Sequence, residues 1–338
     1  MKNKTRILFR TAGGKAKNKQ LGLGHVFRVI NIAKELQKNC EIHFLIEDFG
    51  GVEDILKNYK FLNIEKLPKN VNLEKDLEIT SNVIEKVNAE ILIVDHYGVN
   101  NKYLSFMRKK IRTVLITDLQ KYNFDADLII NGFIGFKNKV FKNKFTAKCF
   151  LGPKYQILNK NFQNKKIKSN SKFRILVTFG GYDEKQISSL VVNSLKVFLD
   201  RIELKIILGP VGKMTNELKN LSKKYPKQII IQKSANDMHK EILKSNFGIC
   251  SGGLTSYEFA SMGIPFIIIC DDTHQLITAK EWNKREIGIN LGIINKNTKQ
   301  RLNSKIEQIL NNKIKFKNGI KLVDGLGLER IANEILKI

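Results

Sequence analysis

Short apolar segments alternate with amphipathic segments along most of this 338-residue chain. The apolar runs have strand length, and the segments between them carry apolar residues at the three- and four-residue spacing of one helix face. The predicted strands are residues 6–10, 41–46, 91–95, 113–117, 128–130, 173–179, 204–208, 229–232, 247–250 and 265–269. Strands that alternate with helices favour parallel sheets, so the predicted fold class is α/β.

A polar stretch at residues 159–172 interrupts this alternation and predicts a linker. Because 338 residues exceed the usual size of a single core, two domains are expected. They are an N-terminal Rossmann-like domain at 1–158 and a C-terminal one at 173–338, whose last helix can pack back on the first domain. The carboxyl ends of the two parallel sheets are expected to face a central cleft.

The composition of 42% hydrophobic and 27% charged residues is typical of a globular protein. No apolar run reaches the roughly 18–20 residues of a membrane span, and the N-terminus leads into a strand rather than a signal peptide. The four cysteines are far apart, which argues against a disulfide framework or a metal site. We therefore expect a cytoplasmic protein without membrane insertion, and a monomer, although the sequence leaves the oligomeric state open.

The net charge of +27 raises the hypothesis of a nucleic-acid partner. Only ten of the 59 basic residues are Arg, however, and the lysine-rich stretches 137–148 and 160–172 carry no stacked aromatic platform. A solvated surface produced by a bias toward Lys, Asn and Ile is the better interpretation. No nucleic-acid partner is predicted, while a weak attraction to anionic substrates or membrane surfaces stays open.

A glycine-rich turn ending in His25 joins the first predicted strand to a helical pattern at residues 26–36. In this arrangement backbone N–H groups can approach the anionic end of a ligand. A histidine can take a proton near neutral pH, and at the positive end of a helix it tends to stay neutral. The alternative is an ordinary turn in which His25 only caps the helix.

Two further glycine turns, in the second half, predict a diphosphate site at the start of a helix. Its predicted nucleotide-binding residues are Gly180, Gly181, Gly252, Gly253, Leu254, Thr255, Ser256 and Glu258. Glu258 lies one turn into the helix, where an acidic residue can accept from two ribose hydroxyls. The alternative here is a plain helix start with a glutamate in its first turn.

These motifs together resemble the UDP-2,4-diacetamido-2,4,6-trideoxy-β-L-altropyranose hydrolase family of pseudaminic acid biosynthesis. That family is related to the glycosyltransferase-B group, which includes the N-acetylglucosaminyltransferase that makes lipid II. The segments that carry the resemblance are residues 22–28, 94–97, 151–155, 178–181, 251–258 and 323–330. The resemblance implies hydrolysis of the UDP-sugar to UDP and free sugar, with inversion at the anomeric carbon and without metal or other cofactor.

By the same resemblance, His25 is the base that activates water and Tyr97 lies near the reacting sugar. The residues predicted to bind substrate are Arg10, Gly24, His96, Tyr155, His274 and Gln275. A nucleoside diphosphate leaves more readily than a sugar alkoxide, so one base and an anion cradle are chemically sufficient. Asp95 ends a predicted strand and is interpreted as a loop anchor, with an acid–base role as the alternative.

Four departures from the family pattern leave the exact sugar open. Ala12 replaces an acidic residue, the loop at 13–21 is longer and rich in lysine, Tyr182 replaces a smaller residue, and His274 stands where asparagine is usual. A glycosyltransferase-B-type transferase using a UDP-sugar donor therefore remains an alternative. A non-catalytic protein that binds sugar nucleotides is a second one.

Overall fold

In the computed structural model of the protein, residues 4–16, 19–96, 98–163, 172–181, 183–235 and 237–338 are described. The chain divides into two compact α/β units. One comprises Met1–Lys160 and Gly325–Ile338, and the other comprises Asn161–Asp324. The prediction of two Rossmann-like α/β domains is confirmed.

Nine strands form the sheet of the first unit within the described residues. They are β1 (Thr5–Ala16), β2 (Lys19–Gly22), β3 (Cys40–Phe49), β4 (Leu62–Leu67), β5 (Ile91–Asp95), β6 (Arg112–Ile116), β7 (Leu128–Asn131), β8 (Lys139–Lys142) and β9 (Lys148–Leu151). The order is β4-β3-β1-β5-β6-β7-β9-β8, with β2 paired to β1. All neighbours are parallel except the pairs β1–β2 and β8–β9.

The second unit has a six-stranded sheet in which every neighbouring pair is parallel. Its strands are β10 (Phe173–Thr178), β11 (Ile202–Ile207), β12 (Ile229–Gln232), β13 (Phe247–Cys250), β14 (Phe266–Cys270) and β15 (Gly288–Ile293). The order β12-β11-β10-β13-β14-β15 is the 3-2-1-4-5-6 order of a doubly wound Rossmann sheet.

Helices connect the strands of both sheets. In the first unit they are α1 (Gly24–Leu36), α2 (Val52–Leu56), α3 (Leu73–Val87) and α4 (Asn101–Arg108). In the second they are α5 (Ile187–Leu195), α6 (Asn216–Lys224), α7 (Met238–Leu243), α8 (Leu254–Ser261), α9 (Thr273–Lys284) and α10 (Thr298–Leu310). The last helix, α11 (Gly327–Ile335), returns to the first unit and packs on α1. No described helix is long and apolar enough to cross a membrane.

Each sheet has one switch point, where successive connections leave a central strand in opposite directions. It lies between β1 and β5 in the first unit and between β10 and β13 in the second. Ligands of open α/β sheets bind in the crevice at the carboxyl ends of such strands. The strand register pairs Thr11 with Asp95 at the first switch point and Thr178 with Cys250 at the second. The predicted glycine turns therefore lie at both switch points.

The structure contains several elements that the hydrophobic pattern did not predict. Strand β1 continues to Ala16 and pairs with β2, so much of the expected loop at 13–21 is a β-hairpin. Strands β4, β8, β9 and β15 were not predicted because polar residues or glycine interrupt their apolar runs. Within the predicted linker, Lys160–Gln163 form a 3-10 helix, and residues 164–171 lie outside the described residues.

Candidate functional site

His25 is the second residue of α1, whose N-terminus has no side-chain cap. Its Nδ1 lies 2.6 Å from Oδ1 of Asp95, the fully buried last residue of β5. A carboxylate can only accept a hydrogen bond, so Nδ1 carries the proton and the lone pair of a neutral ring is on Nε2. This is the tautomer that a histidine base requires when Nε2 faces the reacting proton.

Arg28 lies one turn after His25 and binds the same carboxylate. Its Nε donates to Oδ2 of Asp95 at 2.8 Å, and its Nη2 donates to Oδ1 at 2.7 Å. Burial alone would raise the pKa of Asp95, but the charges of Arg28 and His25 hold that pKa below its ordinary value. Asp95 is therefore an anion that presents a fixed acceptor to His25.

The guanidinium of Arg28 also reaches the end of the neighbouring strand β6. Its Nη1 donates to Oδ1 of Asp118 at 2.7 Å. Burial opposes the charge of Arg28, but Asp118 and Asp95 raise its pKa above the ordinary arginine value. A single guanidinium thus joins a buried carboxylate to one that is 48% exposed.

A second ionic cluster surrounds Arg10, which is 1% exposed. Its guanidinium donates to Asp76 at 3.2 and 2.8 Å, to Glu47 at 3.2 Å and to the carbonyl oxygen of Thr11 at 2.9 Å. The hydroxyl of Thr11 donates to the carbonyl oxygen of Asp95 at 2.9 Å. Arg10 therefore stabilises the ends of the strands near His25. The contact of Arg10 with substrate that the sequence predicted stays a prediction.

The first turn of α8 follows Gly252 and Gly253 and also has no side-chain cap. Ser256 uses both its amide, at 3.1 Å, and its hydroxyl, at 2.7 Å, to donate to the carbonyl oxygen of Gly253. Nε1 of Trp282 donates to the Ser256 hydroxyl at 2.9 Å. Ser256 thus holds the shape of the turn, while the turn's N-terminal amides point along the axis that favours an anion.

Glu258 lies in the same helix and is partly exposed. Burial raises its pKa to about 7. Among the described residues its carboxyl group has no hydrogen-bond or ion-pair partner, which distinguishes it from Asp95 and Asp76. A carboxyl group in this state can accept hydrogen bonds from ligand hydroxyls.

The other predicted residues of the second unit lie beside this turn. A Cβ on Gly252 would be 2.4 Å from the carbonyl oxygen of Gln275, so the position tolerates only glycine. Oε1 of Gln275 lies 3.4 Å from the amides of Gly252 and Asp271. The neighbouring His274 is exposed.

Gly180 follows β10 at the same switch point and has a φ of 78°. A Cβ there would meet nothing within 4 Å, so the side of Gly180 on which a side chain would lie is open. Gly181 follows it in the same turn. Asp183 accepts from the amides of Ile187 and Ser188 at 2.7 and 2.8 Å and fixes the start of α5.

The remaining predicted residues belong to the first unit. Gly24 begins α1, and His96 follows Asp95 with its ring edge-on to Tyr103 at 6.2 Å. Tyr155 ends a 3-10 helix and packs against Phe150 at 5.2 Å. Tyr97 lies outside the described residues.

Sequence reasoning missed Arg28, Asp118 and Asp76. A signal was present for Arg28, because residues three apart on a helix share one face and Arg28 is three residues after His25. No such signal existed for Asp76 or Asp118, which tertiary contacts bring to the site. Within the described part of the chain, no group of three or more His, Cys, Asp or Glu residues has an arrangement that could hold a metal ion.

Known proteins that resemble this chain have a fold that agrees with the two α/β units described above. Residues 174–334 match the model of the glycosyltransferase family 28 C-terminal domain. The chain is 29% identical over 74% of its length to an uncharacterized protein of Methanocaldococcus jannaschii, of which it spans about half, 53%. It is 25% identical to the spore coat polysaccharide biosynthesis protein SpsG of Bacillus subtilis, covering 92% of this chain and 93% of SpsG.

Among solved structures, MurG of Acinetobacter baumannii matches with a TM-score of 0.67 and 16% identity, covering 99% of this chain and 100% of that chain. At such identity the likeness concerns the fold. The two units therefore have the Rossmann-like architecture of glycosyltransferase-B proteins.

Proposed function

We propose that this protein hydrolyses a UDP-linked 2,4-diacetamido-2,4,6-trideoxyhexose to UDP and the free sugar, with inversion, in nonulosonic (pseudaminic-type) acid biosynthesis. The observation that carries the proposal is the 2.6 Å contact of His25 with buried, ionised Asp95 at a switch point. The motif resemblance supplies the reaction class. The name of SpsG, a polysaccharide biosynthesis protein, supports a role in carbohydrate synthesis.

In the proposed reaction, Nε2 of His25 takes a proton from water as the water oxygen attacks the anomeric carbon. The bond from that carbon to the UDP oxygen breaks, and UDP departs with the electron pair. A single displacement inverts the anomeric centre. Asp95 stabilises the imidazolium that forms. Tyr97 is expected near the reacting sugar.

The second unit holds the leaving group in this proposal. The diphosphate lies at Gly252, Gly253, Leu254, Thr255 and Ser256, where helix N-terminal amides and the helix dipole stabilise its charge. Glu258 binds the ribose hydroxyls. Because these groups supply the electrostatic stabilisation, the reaction needs no metal.

The remaining residues that the sequence predicted to contact the sugar or the nucleotide are part of the same proposal. The glycine pair Gly180–Gly181 forms a second wall of the nucleotide site, and Gln275 adjoins Gly252. The side chains proposed to contact the sugar are Arg10, His96, Tyr155, His274 and Gln275, with Gly24 allowing close approach of the backbone.

A second candidate function is transfer of the sugar to an acceptor. The observation that favours it is the match of residues 174–334 to the glycosyltransferase family 28 C-terminal domain. His25 would then activate an acceptor hydroxyl instead of water, and the nucleotide contacts would be unchanged.

UDP release measured with and without candidate acceptors separates these functions. Hydrolysis predicts UDP release in acceptor-free buffer at a rate that acceptors do not raise. Release that depends on an acceptor would establish the transferase instead. UDP binding without turnover would contradict both and leave a non-catalytic sugar-nucleotide-binding protein.

A further inference from the structure

Four ionisable side chains form a continuous ladder from the proposed base to the surface. The ladder runs from His25 to Asp95, then to Arg28 and finally to Asp118, with joining distances of 2.6, 2.7 and 2.7 Å. Its side chains are 10%, 0%, 5% and 48% exposed, in that order. Helix α1, strand β5 and the segment after β6 supply these residues.

We propose that Arg28 and Asp118 are positioning residues that set the charge of the base, in the reaction proposed above for His25. With a neutral imidazole, two carboxylates and one guanidinium give the ladder a net charge of −1. Proton uptake by His25 brings that charge to zero. Without the charge of Asp118, the net charge of the ladder would be zero with a neutral His25 and +1 after His25 takes up a proton. A buried site disfavours this net positive charge.

The geometry explains why Asp118 acts through Arg28. Nη2 of Arg28 lies 3.1 Å from Nδ1 of His25, and both atoms donate to Oδ1 of Asp95. The positive guanidinium therefore opposes a positive imidazolium at close range. Asp118, bound to Nη1, offsets that repulsion and fixes the orientation of the guanidinium.

The other described charged groups near His25 form a separate cluster. Asp76 and Glu47 each pair with Arg10, and the hydroxyl of the neighbouring Thr11 donates to the backbone carbonyl oxygen of Asp95. His96 follows Asp95 along the chain. These groups are the same in every variant below, so they do not account for a difference between variants.

The pH dependence of UDP release tests the charge effect. In Asp118→Asn the amide oxygen can still accept from Arg28, but the negative charge is gone. We expect the acid limb of the pH–rate profile for UDP release to move to lower pH by about 0.3–1 unit. The shift is modest because solvent screens the half-exposed Asp118. The plateau rate and UDP affinity should change by less than about threefold, and Asp118→Glu should restore the profile.

Asp125→Asn is the matched control. Asp125 also pairs with an arginine, Arg108, at 2.7 Å in the same unit, but outside the ladder. The pH–rate profile of Asp125→Asn should coincide with that of the parent protein. Equal shifts in Asp118→Asn and Asp125→Asn, or no shift in either, would overturn the proposal.

Nuclear magnetic resonance of protein labelled with ¹⁵N-histidine tests the ladder without enzyme activity. The chain has five histidines, and His25→Asn assigns the His25 signals by their loss. We expect neutral His25 to carry its proton on Nδ1, and its titration to move to lower pH in Asp118→Asn only. A proton on Nε2 would overturn the proposal. If the titration behaves as expected but no UDP-sugar is hydrolysed, the proposed function fails and the ladder stands.

Discussion

The described residues at the switch point of the first unit are paired charges, whereas those at the second are glycines, hydroxyls and an acid without a partner among the described residues. At the first, Asp95 and Asp76 each contact an arginine, and both have pKa values below the ordinary range. At the second, Glu258 has no partner among the described residues and a pKa of about 7. Both sheets nevertheless share one strand order around the switch point.

This contrast is consistent with the division of labour between the units in the proposed function. Charges that are already paired and buried keep a fixed geometry, which suits a base that must act on a bound substrate. Helix amides without a side-chain cap, and a carboxyl group without a partner among the described residues, can obtain their partners from a ligand, which suits the proposed nucleotide binding. The following predictions, ordered from the largest expected effect, test this division.

Replacement of His25 by Asn should have the largest effect. We expect kcat to fall by about 10²–10⁴-fold, because general-base catalysis is lost. The amide group of Asn can still donate to Asp95, so the fold should survive, as circular dichroism can check. A variant with near-normal kcat would exclude His25 as the base.

Replacement of Arg10 by Met should lower the free energy of unfolding. It leaves Asp76 and Glu47 without their shared cation, and breaking a buried pair costs about 3–5 kcal/mol of the free energy of unfolding, measurable with urea. The matched Arg108→Met, at a partly exposed cluster with Asp125 and Asp127, should lose less, about 1 kcal/mol for each exposed pair. A stable Arg10→Met with reduced activity would make Arg10 a substrate contact instead.

The same variant has a pH signature. The pKa of Asp76 is lowered in the folded protein, so its stabilising contribution is present above its unfolded pKa, about 4, and is lost as pH falls through the lower folded pKa. The stability difference between the parent protein and Arg10→Met should therefore be largest at neutral pH and shrink below about pH 4. A difference independent of pH would contradict an ionic role.

Replacement of Glu258 by Ala should weaken UDP binding. The loss of a charge-assisted pair of hydrogen bonds corresponds to about 1.5–3 kcal/mol, or roughly 10- to 150-fold in affinity. Glu281→Ala, in the same unit, removes a carboxylate that already pairs with Arg285 and should leave the affinity unchanged. Equal affinities for Glu258→Ala and the parent protein would refute the ribose contact.

Glu258 should also make UDP binding depend on pH. Because its pKa is about 7, the carboxyl group is mostly protonated at pH 6 and ionised at pH 8. Ribose hydroxyls donate to the ionised form, so the affinity should rise about tenfold between these values. Glu258→Gln should lack this increase, and it also controls for ionisation of UDP itself.

Chelation should have the smallest effect. Helix amides are proposed to stabilise the leaving diphosphate, so kcat in EDTA should equal kcat in untreated buffer. Activity that EDTA abolishes and magnesium or manganese restores would contradict the proposed leaving-group site.

The elements at both switch points could be predicted because apolar runs define buried parallel strands. Strands β5 and β13 are buried along their whole length and were predicted with correct bounds. Strand β8, Lys139–Lys142, is exposed at the edge of its sheet and carries two lysines, so its sequence lacks that signal. Helix α1 begins at Gly24, two residues before its apolar pattern.

The chemistry of the site was only partly predictable for a different reason. The glycine turn and His25 are local in sequence, whereas Arg28 and Asp95 are separated by 67 positions and Arg10 and Asp76 by 66. Such pairs depend on the strand order and register, which place Thr11 opposite Asp95. A single sequence carries no direct record of that register.

Calorimetric titration of UDP into His25→Asn and Glu258→Ala at pH 8 tests the division of labour most directly. The account predicts that His25→Asn binds UDP within about twofold of the parent protein, because the proposed contacts with UDP belong to the second unit and His25 makes none of them. It predicts binding by Glu258→Ala that is weaker by about 10- to 150-fold. The reverse pattern, with UDP binding lost in His25→Asn and retained in Glu258→Ala, would contradict it.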